Sequence, residues 1–170
     1  MTKRIILLII ALIVAVLLCF FITSYIYPFG YEEYVLKYAE ENNLDEAMVF
    51  AQIKAESNFD ASAVSKKGAV GLMQIMPSTG AWCADKMGIE FEEEMLKNPE
   101  FNIKIGCWYM AYLIEKTGSK EWALAAYNGG ISNVYSWQKD GIEIDKIPFK
   151  ETRKYVKNVL SAEKIYGYLQ

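Results

Sequence analysis

The sequence predicts a mainly α-helical domain behind a single N-terminal membrane helix. Three observations carry this reading. Residues 5–27, IILLIIALIVAVLLCFFITSYIY, hold no charge. Beyond them, helix start and stop signals recur in order: Asp45, Asn98-Pro99 and Ser119 as starts, Gly118 and Gly129-Gly130 as stops. Strand-like alternation is nearly absent, with only a weak trace over Gly141–Ile147.

At 1.5 Å per residue the apolar run covers about 34 Å as a helix, enough for a hydrocarbon core of about 30 Å. A cleaved signal peptide has a shorter apolar region ending in small residues, and Cys19-Phe20-Phe21-Ile22 offers no such site. A core helix of so small a domain would show a polar face, which this one lacks. Lys3 and Arg4 precede the run and Glu32 and Glu33 follow it. The positive-inside rule then keeps residues 1–4 in the cytoplasm, makes 5–27 an uncleaved single-pass anchor and puts the rest outside. Tyr25 and Tyr27 suit the outer interface.

Pro28–Gly30 is a short break between the anchor and the outer domain, residues 31–170. Tyr31, Tyr34, Val35 and Tyr38 recur at helical spacing to Asn42. Asp45 caps a helix over Glu46–Ser57. Asn58–Lys67 is polar and irregular. Gly68–Ile75, with two glycines three apart, reads as a tight turn or short hairpin. Pro77 opens a helix to about Lys86. Asn98 caps a longer helix from Pro99 to Lys116, and Ser119 caps another ending at Asn128. Ile131–Gln138 and Lys150–Tyr168 complete about seven helices. No repeat or linker interrupts them.

With 53% hydrophobic and 14% aromatic residues, the chain is too apolar for disorder. Without Lys3 and Arg4, 16 basic residues face 21 acidic ones, so a nucleic-acid partner is not expected. There is no histidine, which excludes His-based acid–base chemistry and His metal sites. Three scattered cysteines make neither a zinc site nor a disulfide framework. An oxidising compartment permits a Cys83–Cys107 bridge, but two buried small residues is the simpler expectation.

Glu56 is the conspicuous carboxyl. Val49, Ile53 and Glu56 stand at i, i+4 and i+7, which puts the glutamate on the apolar stripe of its helix. It also lies in the last turn, where carbonyl ends give negative potential. Both effects favour the protonated form, the form a general acid needs. A glutamate that merely snorkels is the plainer alternative. Gly71-Leu72-Met73-Gln74 offers amide and backbone donors on a turn. Tyr127-Asn128 at a helix end can stack on and hydrogen-bond a sugar. Glu151 opens the last helix, where a carboxylate is at home on structural grounds alone.

Together and in order, these segments resemble the catalytic domain of the soluble lytic transglycosylases, of goose-type lysozyme-like fold. The residues that carry the resemblance are Ile53–Phe59, Ser65–Pro77, Asn98-Pro99 with Asn102-Ile103 and Gly106, Ala125–Gly130, and Pro148–Val156. Each motif alone is weak; their order and spacing over residues 32–168 make the match specific. The resemblance implies that Glu56 is the single catalytic acid–base. It implies that Ser57, Met73, Gln74, Tyr127, Asn128, Glu151 and Tyr155 surround the sugar. It implies cleavage of peptidoglycan between N-acetylmuramic acid and N-acetylglucosamine, with a 1,6-anhydro ring as product and no cofactor or metal. A hydrolytic muramidase with the same acid is the nearest alternative. A cell-wall binding module without catalysis is a second, and a place in a larger envelope complex is left open.

Overall fold

A computed structural model of the chain describes residues 2–169. The chain divides into two compact units, one up to Gly30 and one from Tyr31. The first is helix α1, Thr2–Ile26. Its segment Lys3–Ile26 is long and apolar enough to cross a membrane, and none of it is buried by protein. That removes the core-helix reading.

The second unit holds α2 (Glu32–Glu41), α3 (Glu46–Ser57), α4 (Pro77–Met87), α5 (Pro99–Thr117), α6 (Lys120–Gly129), α7 (Ile131–Lys139) and α8 (Lys150–Leu169). The caps are those the sequence signals. Asp45 Oδ1 accepts from the Ala47 N–H at 2.9 Å, Asn98 Oδ1 from Phe101 at 3.0 Å, and Ser119 Oγ from Trp122 at 3.2 Å. Each satisfies an amide that the first helical turn leaves unpaired. Gly118, at φ 80°, ends α5 in the left-handed conformation that glycine adopts without strain.

Helix α3 is the axis of this unit. Ala47 to Ile53 are all buried, so the helix is covered on every face and not only along the Val49–Ile53 stripe. Its main neighbour is α8, with α2 on another side. Phe50 of α3 stacks on Tyr166 of α8 at 5.5 Å between ring centres. Losing such a buried ring typically costs about 3–5 kcal/mol. Helices α5 and α6 pack together, and α6 also meets α7 and α8.

Between α3 and α4 the chain folds into two antiparallel bridges, Val64 with Val70 and Val70 with Ile75. This is the tight turn expected over Gly68–Ile75. Gly141–Ile147 is not a strand. Its alternation has no partner to pair with; Ile142 donates to the Trp137 carbonyl to close α7, and Ile144–Lys146 forms a 3-10 turn. A second 3-10 turn, Glu93–Lys97, has no signal in the acidic run Glu92-Glu93-Glu94.

Cys83 and Cys107 are both fully buried and both free, so neither is tied into a bridge. A native disulfide in a small domain is worth about 2–5 kcal/mol. The melting temperature should therefore be the same with and without reductant. A fall of several degrees on reduction would show that the two are bonded.

Candidate active site

Glu56 sits in the last turn of α3, which ends at Asn58 in the left-handed conformation. The carboxyl is half-buried, and burial pushes it up to about 7, with the Tyr155 hydroxyl pulling the other way. Among the described residues no ion pair offsets that burial. One turn earlier, Gln52 is buried on the same side of α3. Gln52 Nε2 and Oε1 and Tyr155 Oη are enclosed without a well-formed hydrogen bond. The acid thus has a tight polar backing of Gln52 and Tyr155, the latter supplied by α8 across the α3–α8 contact.

A proton held more tightly in the folded chain than in the unfolded one makes stability fall as pH rises. Moving a carboxyl from its ordinary 4.5 to about 7 costs the native state up to about 3 kcal/mol once both forms are ionised. The loss builds between pH 4.5 and 7 and is complete above it. Glu56→Gln should therefore match the wild type in urea unfolding near pH 4 and exceed it in stability at pH 8. An equal difference at both pH values would contradict the raised pKa.

The loop after α3 is held by side chains from three helices, α3, α5 and α6. Ser57 Oγ donates to the Leu72 carbonyl at 2.8 Å, tying the end of α3 to the loop. Asn102 of α5 is fully buried; its Nδ2 donates to the carbonyls of Val70 and Leu96 at 2.9 and 2.8 Å. Its Oδ1 accepts from the Met73 N–H at 2.8 Å. Tyr127 of α6 donates its hydroxyl to the Met73 carbonyl at 2.8 Å. Gly71, at φ 79°, lets the loop come this close, because a Cβ there would stand 2.4 Å from the Leu96 carbonyl oxygen.

This loop and the ends of α3, α6 and α8 enclose a cleft of about 360 Å³. Glu56, Gln74, Tyr127, Asn128 and Glu151 line it together, with Lys66 and Lys67 on the rim. Asn128 is fixed by the Thr152 hydroxyl, which donates to its Oδ1 at 2.9 Å. A second hollow of about 330 Å³ shares Gln74, Tyr127 and Asn128 and extends to Thr79 and Tyr109. A third, about 300 Å³, shares Thr79 and Tyr109 and ends at Trp82 and Tyr112. The outcome is one polar groove with an aromatic end.

Three of the residues expected around a sugar stand elsewhere. Met73 is fully buried, its side chain laid across Gly106, where a Cβ would come within 2.2 Å of the sulfur. Both its backbone groups bond within the protein, to Asn102 and Tyr127, and Met73 does not line the groove. Ser57 has its hydroxyl on Leu72 and braces the loop. Tyr155 lies behind Glu56 and does not line the groove. The sequence assigns no role to Gln52, to Asn102 beyond its place in a motif, or to Tyr109. The first two carried a signal: each is an amide on an apolar helical stripe, Asn102 with Gly106, Met110 and Leu113.

The Transglycosylase SLT domain profile matches residues 33–148, and the Soluble lytic transglycosylase helical domain profile matches 146–170. The Soluble lytic murein transglycosylase of Escherichia coli (strain K12) is 33% identical over 152 residues, covering 84% of this chain and 24% of that protein. The Membrane-bound lytic murein transglycosylase C of Pectobacterium atrosepticum is 32% identical over 161 residues, covering 78% of this chain and 45% of that one. Among solved structures, the 70-kDa soluble lytic transglycosylase of Escherichia coli superposes with a TM-score of 0.82 at 32% identity, over 86% of this chain and 25% of that one. An inactive Glu-to-Gln mutant of lytic transglycosylase Slt from Pseudomonas aeruginosa gives 0.79 at 35% identity, over 84% and 24%. The chain spans about a quarter of the length of these soluble relatives. The mainly α, lysozyme-like fold expected from the sequence is the one found, and by the match over residues 33–148 the chain belongs to the transglycosylase SLT domain family.

Proposed function

We propose that this chain is a peptidoglycan lytic transglycosylase, held at the cell membrane by α1 with its catalytic domain outside. The observation that carries the reading is Glu56. It is a carboxyl that burial pushes up to about 7, in a groove walled by Gln74, Tyr127 and Asn128, in a chain of this family. The inactive Pseudomonas relative, a glutamate-to-glutamine mutant, supports a glutamate in that role. The membrane-bound relatives support the anchor.

In the mechanism, Glu56 gives its proton to the oxygen joining N-acetylmuramic acid to N-acetylglucosamine, and that bond breaks. The 2-acetamido group of the muramic residue takes up the positive charge at C1. Glu56, now ionised, removes the proton of the C6 hydroxyl. The C6 oxygen closes on C1 and displaces the acetamido oxygen. The carboxyl ends as it began, and the two products together weigh what the substrate did. Burial serves both steps, since a group near pKa 7 can give and accept a proton at neutral pH.

A second reading rests on Glu151, which lines the same cleft and is exposed to solvent. A second carboxylate can activate water and turn the enzyme into a muramidase. Asp60 does not compete for this role. It is exposed, outside the cleft, and accepts from the Ser62 hydroxyl and amide. Mass analysis of products from purified peptidoglycan decides between the two. Ends carrying 1,6-anhydromuramic acid are expected, lighter by one water than hydrolytic ends. Reducing ends alone would assign the muramidase.

A further inference from the structure

The outer face of α8 carries a groove that the chemistry above does not use. It measures about 650 Å³, larger than any segment of the catalytic groove. Lys150, Arg153, Lys154, Lys157 and Lys164 line it, against the single carboxylate of Asp145. Leu160 and Val156 form part of its apolar floor. These positions recur every three or four residues, so they form one stripe along the helix. Tyr168, 89% exposed, continues the stripe at its end.

The stripe is out of keeping with the rest of the domain. Acidic residues outnumber basic ones in this chain, 21 to 18. Elsewhere several surface lysines pair with carboxylates, as Lys37 does with Glu100 and Lys120 with Glu163, and those that do not, such as Lys66, Lys67 and Lys139, are not gathered in a row along one helix. Among the described residues, Lys150, Lys154, Lys157 and Lys164 make no ion pair. The Arg153 guanidinium donates to the Ile147 carbonyl, which leaves its charge unneutralised. An uncompensated row of cations over an apolar floor calls for an anionic, partly apolar surface.

We propose that this groove docks on the anionic phospholipid headgroups of the membrane that α1 crosses. The proposal rests on the anchor reading given above. Only residues 27–31 separate α1 from α2. Fully extended they reach about 17 Å, so lipid is always at hand while a soluble polyanion must be captured. Clustered lysines on an amphipathic helix are attracted to anionic lipid, each by about fivefold in affinity at low salt. An exposed tyrosine beside them suits the headgroup layer. The domain as a whole is acidic and is repelled by the same surface. Attraction at α8 alone would therefore fix which way the catalytic groove faces over the membrane.

The test uses the full chain in phosphatidylcholine vesicles with and without phosphatidylglycerol. Lysine acetylation is followed by mass spectrometry at low salt. With phosphatidylglycerol, Lys150, Lys154, Lys157 and Lys164 should react about fivefold more slowly. Lys66 and Lys139 should be unchanged, and high salt should abolish the difference. Lys154→Glu with Lys157→Glu should remove the protection at Lys150 and Lys164 without lowering the melting temperature, since both side chains are exposed. Equal rates in the two vesicles, in chain that resists carbonate extraction, would overturn the docking alone. Release by carbonate would overturn the anchor and the docking with it. Protection by added polyphosphate but not by phosphatidylglycerol would give the groove to a soluble polyanion and overturn the lipid assignment.

Discussion

Replacing Glu56 by glutamine is expected to leave the fold intact and to lower peptidoglycan cleavage by about 10⁴-fold or more. Glutamine keeps the shape of the side chain and still fits between Gln52 and Tyr155. It cannot release a proton to the leaving oxygen, nor take one from the C6 hydroxyl. General acid–base help is worth about 10²–10⁴-fold for one transfer, and here one group serves two. The wild-type kcat/KM should fall above pH 7, as Glu56 loses its proton in the free enzyme. Any residual activity of the glutamine variant should lose that dependence. Glu151→Gln and Asp60→Asn should do far less. Glu151 is exposed at the cleft rim, and Asp60 turns to Ser62. Unfolding curves at low pH that coincide with wild type would confirm that the loss is chemical. Full activity in Glu56→Gln would overturn the assignment of the acid.

The elements and the buried carboxyl of Glu56 were legible because their signals are local. Asp45, Asn98 and Ser119 cap helices through amides two or three residues away. Glu56 betrayed itself by interrupting an apolar period. Which of the named residues line the groove was not legible, because a motif gives adjacency along the chain but not the direction of a side chain. Met73 and Gln74 are neighbours, yet the turn at Gln74, with φ 48°, sends Met73 into the core and leaves Gln74 in the cleft. Ser57 follows Glu56, and its short hydroxyl meets a carbonyl fifteen residues on before it can meet a ligand. The backing of Glu56 by Tyr155 depends on how α8 lies along α3, which no local pattern encodes. The weak alternation over Gly141–Ile147 misled for the same reason: a strand exists only where a partner does.

Asn102→Ala should destabilise the domain strongly while leaving the groove lining untouched. The Asn102 amide makes three hydrogen bonds with no solvent access, to the carbonyls of Val70 and Leu96 and from the Met73 N–H. Alanine removes all three and strips the Met73 N–H and the Leu96 carbonyl of this partner, while the Val70 carbonyl keeps the Ile75 N–H at 3.0 Å. Each orphaned group costs about 1–3 kcal/mol, so the two together cost about 2–6 kcal/mol, a large share of the 5–15 kcal/mol that holds a typical domain. Water cannot easily replace the amide, because Gly71 already brings the loop against Leu96 with no room for a Cβ. Aspartate is no substitute. Its carboxylate could accept from Met73 but would face two carbonyls that require a donor. The effect should reach the chemistry through one atom, since the Met73 carbonyl is what holds the Tyr127 hydroxyl in the groove wall. The melting temperature should drop by about 4–24 °C, at roughly 2–4 °C per kcal/mol for a domain near this size. Where the variant still folds in the cold, the Met73 amide should exchange with solvent far faster than in the wild type, while the amides inside α3 stay protected. A melting point within two or three degrees of wild type, measured with about that precision, would mean that the loop is held by something other than Asn102.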